Sequence, residues 1–498
     1  MLRSRRLPLA TAVALAALPA LGLGVLTVYA NARHESADTP AASSAEQLPA
    51  LSSSSLATPL MSLRRGPLAL ATSHRRDVLA AALQPLIGSL DATSCLAVGT
   101  GNDIAARSNA TRPVIPASNL KVVVAAAAVE ILGADTVFTT KVLGSAPVAG
   151  VVQGDVYLVG GGDPVLSEQW YTQPTGIRKR PPLHATPIEA LADSLKAAGV
   201  SSIAGRVIGD GSRYDDERHP PGWGAAVLAT GDGVPVGALV IDDSTDQAGA
   251  IAPDPARSAA ATFTQLLRAR GITVQGDAAS GVAPTGAVQL AAESSQALPA
   301  MINEMLATSD NLTAEMMVKE IGLTTSGKGT RSDGLKAITD RLVSWGVLTD
   351  GLTMVDGSGL SRGSRITCAA MLAVLQRGSA TDIVGAGMAL ADQGGSTLDG
   401  RFQQVGLAGV LQAKTGTLAG VKALCGYFPV GGSEVQFVLI LNGPSTAAFA
   451  GLWSQIGDAL LAVTQAPTTD TFAPLPAVPS TKPVATPTGA TSPTDPSP

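Results

Sequence analysis

Three short motifs in this chain combine residue types and spacings that suit nucleophilic catalysis by a serine. They are Ser118-Asn119-Leu120-Lys121, Ser309-Asp310-Asn311 and Lys414-Thr415-Gly416, in that order along the sequence. Lys121 is the only lysine with a serine three positions before it, and Asn311 is the only asparagine with a serine two positions before it. Because each pattern occurs once, we interpret the three motifs as parts of one site.

The first motif pairs a weak nucleophile with a base. A serine hydroxyl reacts poorly at neutral pH unless an adjacent group takes its proton. Residues three apart on a helix share a face, so Lys121 can reach Ser118. A serine in the first helical turn also lies near free backbone N–H groups, which favour a developing oxyanion. Burial beside a second cation lowers the pKa of a lysine, and Lys414 is our candidate for that cation.

Each motif also has a purely structural interpretation. Ser118 suits a helix N-cap, the Ser309 motif suits a cap cluster between helices, and the Lys414 motif suits an exposed strand. Ser361 is a rival nucleophile within a Gly-x-Ser-x-Gly pattern, but all four histidines precede it, whereas an α/β-hydrolase needs one after it. We therefore predict that Ser361 lies in a polar loop under the site, and that the three motifs together form the site.

Hydrophobic patterns indicate the elements that carry these motifs. Residues 118–132 have Ala and Val on every side and end at Gly133, which predicts a central helix buried all round. The remaining predicted elements near the motifs are helices at 298–308, 312–322 and 367–375, and paired antiparallel strands at 411–429 and 435–442 joined by Gly431-Gly432.

The length of 498 residues favours two or more domains. Strand-like and helical stretches between the first two motifs predict a separate α+β unit. We predict the following organisation: 1–32, signal peptide or signal anchor; 33–73, disordered Ser/Pro/Ala-rich spacer; 74–139, first part of a catalytic domain; 140–284, inserted region; 285–464, second part of the catalytic domain; 465–498, disordered Pro/Thr-rich tail.

The N-terminus has the pattern of an export signal. Arg3, Arg5 and Arg6 precede an apolar run over 7–30, which ends in an Ala30-Asn31-Ala32 step. The run is also long enough to span a bilayer. Cleavage after Ala32 and retention as a membrane anchor therefore both stay open, and either one predicts an extracytoplasmic protein, in the cell envelope or secreted.

Charge and cysteine content narrow the function classes. A net charge of −5 and a pI near 5.5 argue against nucleic-acid binding. The acidic runs Asp215-Asp216-Glu217 and Asp242-Asp243 lack metal-ligand spacing, so we predict solvated loop charge, with no metal and no cofactor. One of the three cysteines must stay unpaired in a monomer. A Cys368–Cys425 disulfide is one option. The favoured alternative is that Cys95, Cys368 and Cys425 are all buried thiols.

Further motifs accompany the three. They are Gly160-Gly161-Gly162-Asp163-Pro164, Asp210-Gly211-Ser212-Arg213-Tyr214 with Pro221-Gly222-Trp223, Asp356-Gly357-Ser358-Gly359-Leu360-Ser361-Arg362, and Ala413-Lys414-Thr415-Gly416-Thr417-Leu418. With these motifs the chain resembles the penicillin-binding D-alanyl-D-alanine carboxypeptidases/endopeptidases of the low-molecular-mass class C type. The resemblance covers essentially the whole predicted folded part. The long stretch between Ser118 and Ser309 fits a family with an inserted middle region.

The resemblance implies an α/β (α+β) fold of the penicillin-binding/β-lactamase type, with an antiparallel sheet flanked by helices and an inserted α+β domain between the first two motifs. It implies these roles: Ser118, acylated nucleophile; Lys121, base; Ser309, proton relay to the leaving amine; Asn311, substrate backbone; Lys414, Thr415 and Thr417, terminal carboxylate; backbone N–H of Ser118 and Thr417, oxyanion hole.

The same resemblance implies a serine D-Ala-D-Ala carboxypeptidase (EC 3.4.16.4), with DD-endopeptidase activity as a further expectation. Its substrates would be peptidoglycan stem peptides, cleaved through an acyl-enzyme, and β-lactams such as penicillin would inhibit it covalently. The alternatives are a serine β-lactamase and a catalytically weak wall-binding protein of the same fold.

Overall fold

A computed structural model describes residues 66–174, 176–177 and 179–467. The predictions for 1–65 and 468–498 lie outside these residues. The α-helices are α1 Gly66–Ala82, α2 Gln84–Ser89, α3 Leu120–Leu132, α4 Glu189–Ala197, α5 Ala225–Ala229, α6 Pro255–Ala269, α7 Leu298–Asn303, α8 Asn311–Ser326, α9 Arg331–Ser344, α10 Cys368–Leu375, α11 Ile383–Gly387 and α12 Phe449–Thr464.

The strands are β1 Cys95–Thr100, β2 Asp103–Ser108, β3 Thr139–Gly144, β4 Val151–Val152, β5 Val156–Val159, β6 Leu166–Ser167, β7 Thr186–Pro187, β8 Ser202–Ile203, β9 Val207–Asp210, β10 Thr273–Val274, β11 Ala279–Ser280, β12 Val288–Ser294, β13 Ala389–Leu390, β14 Gln412–Leu418, β15 Val421–Val430 and β16 Ser433–Asn442. Short 3-10 turns occupy Ala117–Asn119, Gln169–Thr172, Asp242–Ser244 and Gly443–Ala448, and a π-helical turn occupies Glu304–Thr308.

The main sheet has six antiparallel strands in the order β13-β14-β15-β16-β1-β2. Successive residues of a strand face opposite sides, and both sides of β16 are apolar. Val438 and Ile440 face a core that includes α3 and α10, whereas Phe437 and Leu439 face a core that includes α1 and α12. The sheet therefore lies between two layers of helices, which confirms the predicted mixed α/β class with a flanked antiparallel sheet.

Helix α3 is the central helix of this arrangement, as predicted. Its first two turns are buried, and Gly133, with φ of 88°, follows its last residue. The prediction of burial all round was wrong for the last turn, because Glu130 is exposed and accepts hydrogen bonds from Arg341 and Trp345 on the surface. A carboxylate in that turn keeps it at the solvent boundary.

The strand prediction at the C-terminal end was partly wrong. Residues 411–429 do not form one strand, because Ala419-Gly420 turns the chain between β14 and β15. Gly420 has φ of 68°, a conformation that glycine adopts without strain. The second turn, at Gly431-Gly432 between β15 and β16, is where the sequence predicted it. The helix α1 also begins before residue 74, because Ala71 and Leu79 bury apolar surface near β1 and β2.

The middle region has its own sheets and its own apolar cluster. One sheet has the order β11-β9-β5-β3-β12 and another has the order β10-β8-β4, and α4 and α6 pack on them. Leu191, Phe263 and Leu267 are among the buried residues of this cluster. These features support the predicted insert, although it belongs to one compact unit with the catalytic part. The bounds 74–139, 140–284 and 285–464 remain predictions.

Ion pairs and hydrogen bonds fasten the middle region to α8 and α9. The Arg213 guanidinium pairs with buried Glu320 at 2.5 Å and 2.9 Å, and the Tyr214 hydroxyl donates to the same carboxylate at 2.7 Å. Asp215 pairs with Lys319, and Glu217 pairs with Arg331. The prediction of solvated acidic loops was therefore wrong for Asp215 and Glu217, which lie opposite cations on the helices.

Asp242 also departs from that prediction, because it is buried and accepts a hydrogen bond from the Glu168 N–H at 2.9 Å. Burial raises its pKa to about 9. Among the described residues, no group of three or more His, Cys, Asp or Glu side chains is arranged to hold a metal ion.

Neither predicted arrangement of the cysteines was right, although one of the three is unpaired, as expected. A disulfide joins Cys95 on β1 to Cys368 on α10, and Cys425 is a buried free thiol. Helix α10 packs over β1 and β16, which places Cys368 against the first strand rather than against β15. The pairing depends on how the sheet is ordered, and the spacing of cysteines in the sequence does not reveal that order.

We predict that the Cys95–Cys368 disulfide contributes about 2–5 kcal/mol to the free energy of unfolding, because it closes a long loop in the unfolded chain. Dithiothreitol should lower the denaturation midpoint of the wild-type protein. It should not lower the midpoint of the Cys95→Ala/Cys368→Ala variant further, and Cys425→Ala should respond as wild type does. Labelling of three thiols in unreduced, unfolded protein would contradict the pairing.

Candidate active site

Ser118 and Lys121 meet at the start of the central helix. The 3-10 turn Ala117–Asn119 runs directly into α3, so the two side chains lie one turn apart. The Lys121 Nζ donates to Ser118 Oγ at 3.1 Å. Ser118 is half-buried and lines a cleft, whereas Lys121 is fully buried. The predicted nucleophile and base are therefore in hydrogen-bond contact.

Close backbone packing holds the turn that carries Ser118. Ala117, the preceding residue, has φ of 48°, which is a strained conformation for a residue with a side chain. A Cβ on Gly359 would lie 2.0 Å from the Ala117 carbonyl oxygen, and one on Gly416 would lie 3.0 Å from that of Pro116. The two glycines thus allow a loop and strand β14 to close on the turn from different sides.

The second motif lies between α7 and α8. Ser309 has left-handed backbone angles and follows the π-helical turn, and Asp310 caps α8 by accepting from the Thr313 N–H at 2.6 Å. Asn311 Oδ1 accepts from Lys121 Nζ at 2.8 Å, and its Nδ2 donates to the Asp232 carbonyl at 2.9 Å. Ser309 lines the same cleft as Ser118. The structure therefore brings the first two motifs together through Lys121.

The third motif lies on β14 at the side of the cleft. Lys414 is fully buried, and its Nζ donates to the Thr415 carbonyl at 2.8 Å. Thr415 and Thr417 line the cleft. Strand β13 pairs with β14 only at Gln412 and Ala413, so within the described part of the chain the rest of this edge has no strand beside it. An extended ligand can lie along such an edge.

Burial and neighbouring charges set the protonation of the two lysines. Burial lowers the pKa of Lys121 to about 8, against the opposing effect of carboxylates, of which Asp310 acts most strongly. Burial and the charge of Lys121 lower the pKa of Lys414 well below its usual range. Two ammonium groups buried close together repel each other, which favours a neutral lysine at this site.

The loop 356–362 positions Lys121, a role that the sequence did not reveal. The Ser358 carbonyl accepts from Lys121 Nζ at 2.7 Å. Buried Glu315 accepts from the N–H groups of Gly357 and Ser358, and burial raises its pKa to about 7. Asp356 accepts from the Ser361 N–H at 2.6 Å. The motif at 356–362 was recognised in the sequence. Glu315 was missed because it is a single residue within α8 and belongs to no motif.

Ser361, the rival nucleophile, lies in this loop, as predicted. Its side chain is buried, and its Oγ accepts from the Gly363 N–H at 3.2 Å. Asp356 also accepts from Trp223 Nε1 at 3.0 Å. Because Trp223 belongs to the middle region, that region supports the loop from the far side.

The middle region also contributes side chains to the cleft, which has a volume of about 350 Å³. Lys179, Arg180 and Asp232 line it together with the residues of the three motifs. Lys179 pairs with Asp232 at 2.5 Å. None of these three was predicted as a site residue, because their approach to the motifs depends on how the middle region docks.

Comparison with known proteins agrees with the geometry. The model of the D-Ala-D-Ala carboxypeptidase 3 (S13) family matches residues 75–253 and 244–462. A D-alanyl-D-alanine carboxypeptidase from Actinomadura sp. (strain R39) is 31% identical over 461 residues, which are 76% of this chain and 82% of the relative. A carboxypeptidase from Mycobacterium tuberculosis is 32% identical over 348 residues, 67% of this chain and 72% of the relative.

Among solved structures, penicillin binding protein 4 from Haemophilus influenzae superposes with a TM-score of 0.63 at 22% sequence identity. The match covers 76% of this chain and 98% of that protein. This likeness confirms the predicted fold, including an insert between the first and second motifs.

We predict that acylation by penicillin rises with pH and levels off above about 8, because only neutral Lys121 can accept the Ser118 proton. Asp310→Asn keeps an oxygen that can cap α8 but removes the charge that raises the pKa of Lys121. The midpoint of the pH–rate profile should therefore move to lower pH in that variant. An unchanged midpoint would assign the ascending limb to another group.

Proposed function

The chain belongs to the D-Ala-D-Ala carboxypeptidase 3 (S13) family, and from that premise we propose how its own residues carry out the reaction. The protein is a serine D-Ala-D-Ala carboxypeptidase that acts on peptidoglycan stem peptides through an acyl-enzyme, and β-lactams bind covalently at the same serine. The residue roles below are the proposal. The observation that supports them best is the buried Lys121 ammonium, which bonds to both Ser118 and Asn311.

Acylation begins at Ser118. Neutral Lys121 takes the hydroxyl proton while Ser118 Oγ attacks the carbonyl carbon of the penultimate D-Ala. The carbonyl oxygen gains negative charge, and the backbone N–H groups of Ser118 and Thr417 donate to it. Donors fixed in advance at such a position typically contribute about a hundredfold or more to the rate.

Collapse of this intermediate breaks the C–N bond and releases the terminal D-Ala. Ser309 passes a proton, drawn from protonated Lys121, to the leaving amine. The product is an ester between Ser118 and the shortened peptide, and attack by water on that ester restores the free enzyme. In a β-lactam the leaving amine stays tethered to the acyl group, which hinders the approach of water and prolongs the ester.

Substrate binding would use the other motif residues. The terminal carboxylate faces Lys414, Thr415 and Thr417, and its charge raises the pKa of Lys414, which restores the ammonium in the complex. Asn311 holds the peptide backbone. The free edge of β14 supports an extended substrate pose, because a strand edge offers unpaired backbone donors and acceptors.

Action on peptidoglycan takes place outside the cytoplasmic membrane. We propose export through the N-terminal segment, with retention by an uncleaved signal as the alternative to cleavage near Ala32. Within the described residues, the helical stretch Gly443–Thr464 is long and apolar enough to cross a membrane. Its Ile456 and Leu460 pack in the core below the sheet, which favours a core helix.

We predict that Ser118→Ala folds normally but forms no penicillin adduct, as measured by intact mass spectrometry. Lys121→Arg keeps a cation that cannot deprotonate, so the acylation rate should fall by several orders of magnitude. Arg107→Gln, on the far edge β2 of the main sheet, serves as a control that should react as wild type does.

An adduct on the Ser118→Ala variant, or near-normal acylation of Lys121→Arg, would overturn these roles. The lifetime of the wild-type adduct separates the alternatives: rapid turnover indicates a β-lactamase, a lasting adduct indicates a DD-peptidase, and no adduct indicates a weak wall-binding protein.

We predict that protein recovered from fractionated cells is extracytoplasmic and begins near residue 33. N-terminal sequencing measures this. Protein in the membrane fraction that still contains residues 1–32 would indicate instead that the uncleaved signal acts as a membrane anchor. Steady-state recovery of the full-length chain from the cytoplasm would contradict both.

A further inference from the structure

Three cations line one end of the cleft and have no role in the reaction described above. They are Arg180, Arg401 and Lys422, and they share this cleft with Thr415 and Thr417. The charge of Arg180 acts on Lys414, and that of Arg401 acts on Lys422. Lys422 is the register partner of Thr417 in the β14–β15 pair, and its Nζ donates to Thr417 Oγ1 at 3.4 Å. These cations therefore lie at the end of the cleft where the substrate carboxylate and the leaving residue would bind.

Aromatic rings hold two of these cations in place. The Lys422 Nζ lies 4.5 Å from the centre of the Phe449 ring, and the Arg401 guanidinium lies 5.3 Å from that of Trp453. A ring face attracts a cation without neutralising its charge. The N–H groups at the edge of each cation can still donate to a ligand.

Arg180 reaches the cleft on a fastened loop of the middle region. Buried Glu304 accepts from the Leu183 N–H at 2.6 Å, and His184 Nε2 bonds to Asn303 Oδ1 at 2.8 Å. The Arg180 Nε itself donates to the Ser396 carbonyl at 3.0 Å. The loop thus spans from the middle region to the catalytic part, with Arg180 fixed between them.

Positive charge is in excess at this end of the cleft, because Asp232 is paired with Lys179. In the part of the chain that the structure describes, none of the three cations forms an ion pair within 4.0 Å, although the charge of Asp399 acts on Arg180. Burial and, second to it, the charge of Arg401 lower the pKa of Lys422, and the effect of Arg401 agrees with an excess of positive charge. The single carboxylate of a terminal D-Ala already has Lys414 and two threonine hydroxyls to meet it.

We propose that Arg180, Arg401 and Lys422 form a second anion subsite. It binds a second carboxylate of the leaving group, in addition to the α-carboxylate of the residue that leaves. The inference rests on the proposed orientation of the substrate. The preferred substrates are then peptides whose leaving residue has an acidic side chain or is joined to a second acidic peptide, as in a cross-link. The reaction is unchanged: the same C–N bond breaks, and the leaving amine takes with it its α-carboxylate and a second carboxylate, either on its own side chain or on the peptide attached to it.

Two isosteric substrates test the subsite directly. Blocked peptides ending in D-Ala-D-Glu and D-Ala-D-Gln differ only in the charge of the leaving side chain. We expect kcat/KM of the wild-type enzyme to favour D-Glu by about tenfold or more, the scale of a charge-assisted hydrogen bond. In the Arg180→Gln/Arg401→Gln variant the ratio should fall to about one, chiefly through KM. Arg107→Gln, an exposed arginine on the opposite edge strand β2, should keep the wild-type ratio.

A cross-linked peptide dimer extends the test to the second source of the carboxylate. Slower cleavage of the dimer by the double variant, together with the lost D-Glu preference, assigns the subsite to cross-link cleavage. Loss of the D-Glu preference with unchanged dimer cleavage assigns it to single acidic residues. Both outcomes support the subsite.

Other outcomes overturn it. A wild-type ratio near one in enzyme that penicillin acylates normally would reject the subsite while leaving the proposed function intact. A ratio that survives in the double variant, or falls equally in Arg107→Gln, would reject it in favour of general attraction of anions. Failure of penicillin to acylate the wild-type enzyme at all would instead reject the proposed function.

Discussion

A single buried ammonium group holds the candidate site together. Lys121 Nζ donates to a serine hydroxyl, an amide oxygen and a backbone carbonyl, which belong to Ser118, Asn311 and Ser358. Ser118 is a neighbour in the sequence, whereas Asn311 and Ser358 come from distant parts of the chain. A buried ammonium has three N–H donors, and each of them needs an acceptor within the protein. Burying a cation is costly unless hydrogen bonds and nearby charges compensate. The rest of the site provides that compensation, through Glu315 and Asp356 among others.

The middle region helps to stabilise the buried Lys121, because it contacts residues that surround this lysine. Trp223 donates to Asp356, and the Asp232 carbonyl accepts from Asn311. A shared apolar cluster continues the contact, with Tyr214 and Trp223 from the middle region packed near Leu312 and Met316 of α8. Displacement of the middle region would therefore remove partners from the Ser309 motif and from the loop 356–362, even though it contributes none of the predicted catalytic side chains.

Sequence reasoning succeeded where the relevant geometry is local. The contact between Ser118 and Lys121 follows from helical spacing, and the end of α3 follows from Gly133. Helix α8 begins close to its predicted start but continues past the predicted end at 322, to Ser326. The three motifs could be assigned to one site because each occurs once. The first two motifs meet through Lys121, and Thr415 and Thr417 from the third line the same cleft, which agrees with that assignment. The catalytic roles themselves stay predictions.

Prediction from the sequence failed where the geometry depends on contacts between distant segments. The partner of Cys368 is decided by the order of strands in the sheet, and the charge pairs of Asp215 and Glu217 are decided by how the middle region docks. Arg180 and Glu315 belong to no recognisable sequence motif.

The order of strands has a further consequence for folding. Because β1 pairs with β16, the main sheet cannot close until the last strands of the fold have been synthesised. Sheets built from such distant segments fold slowly, so β1 exposes an unpaired backbone edge until the last strands pair with it.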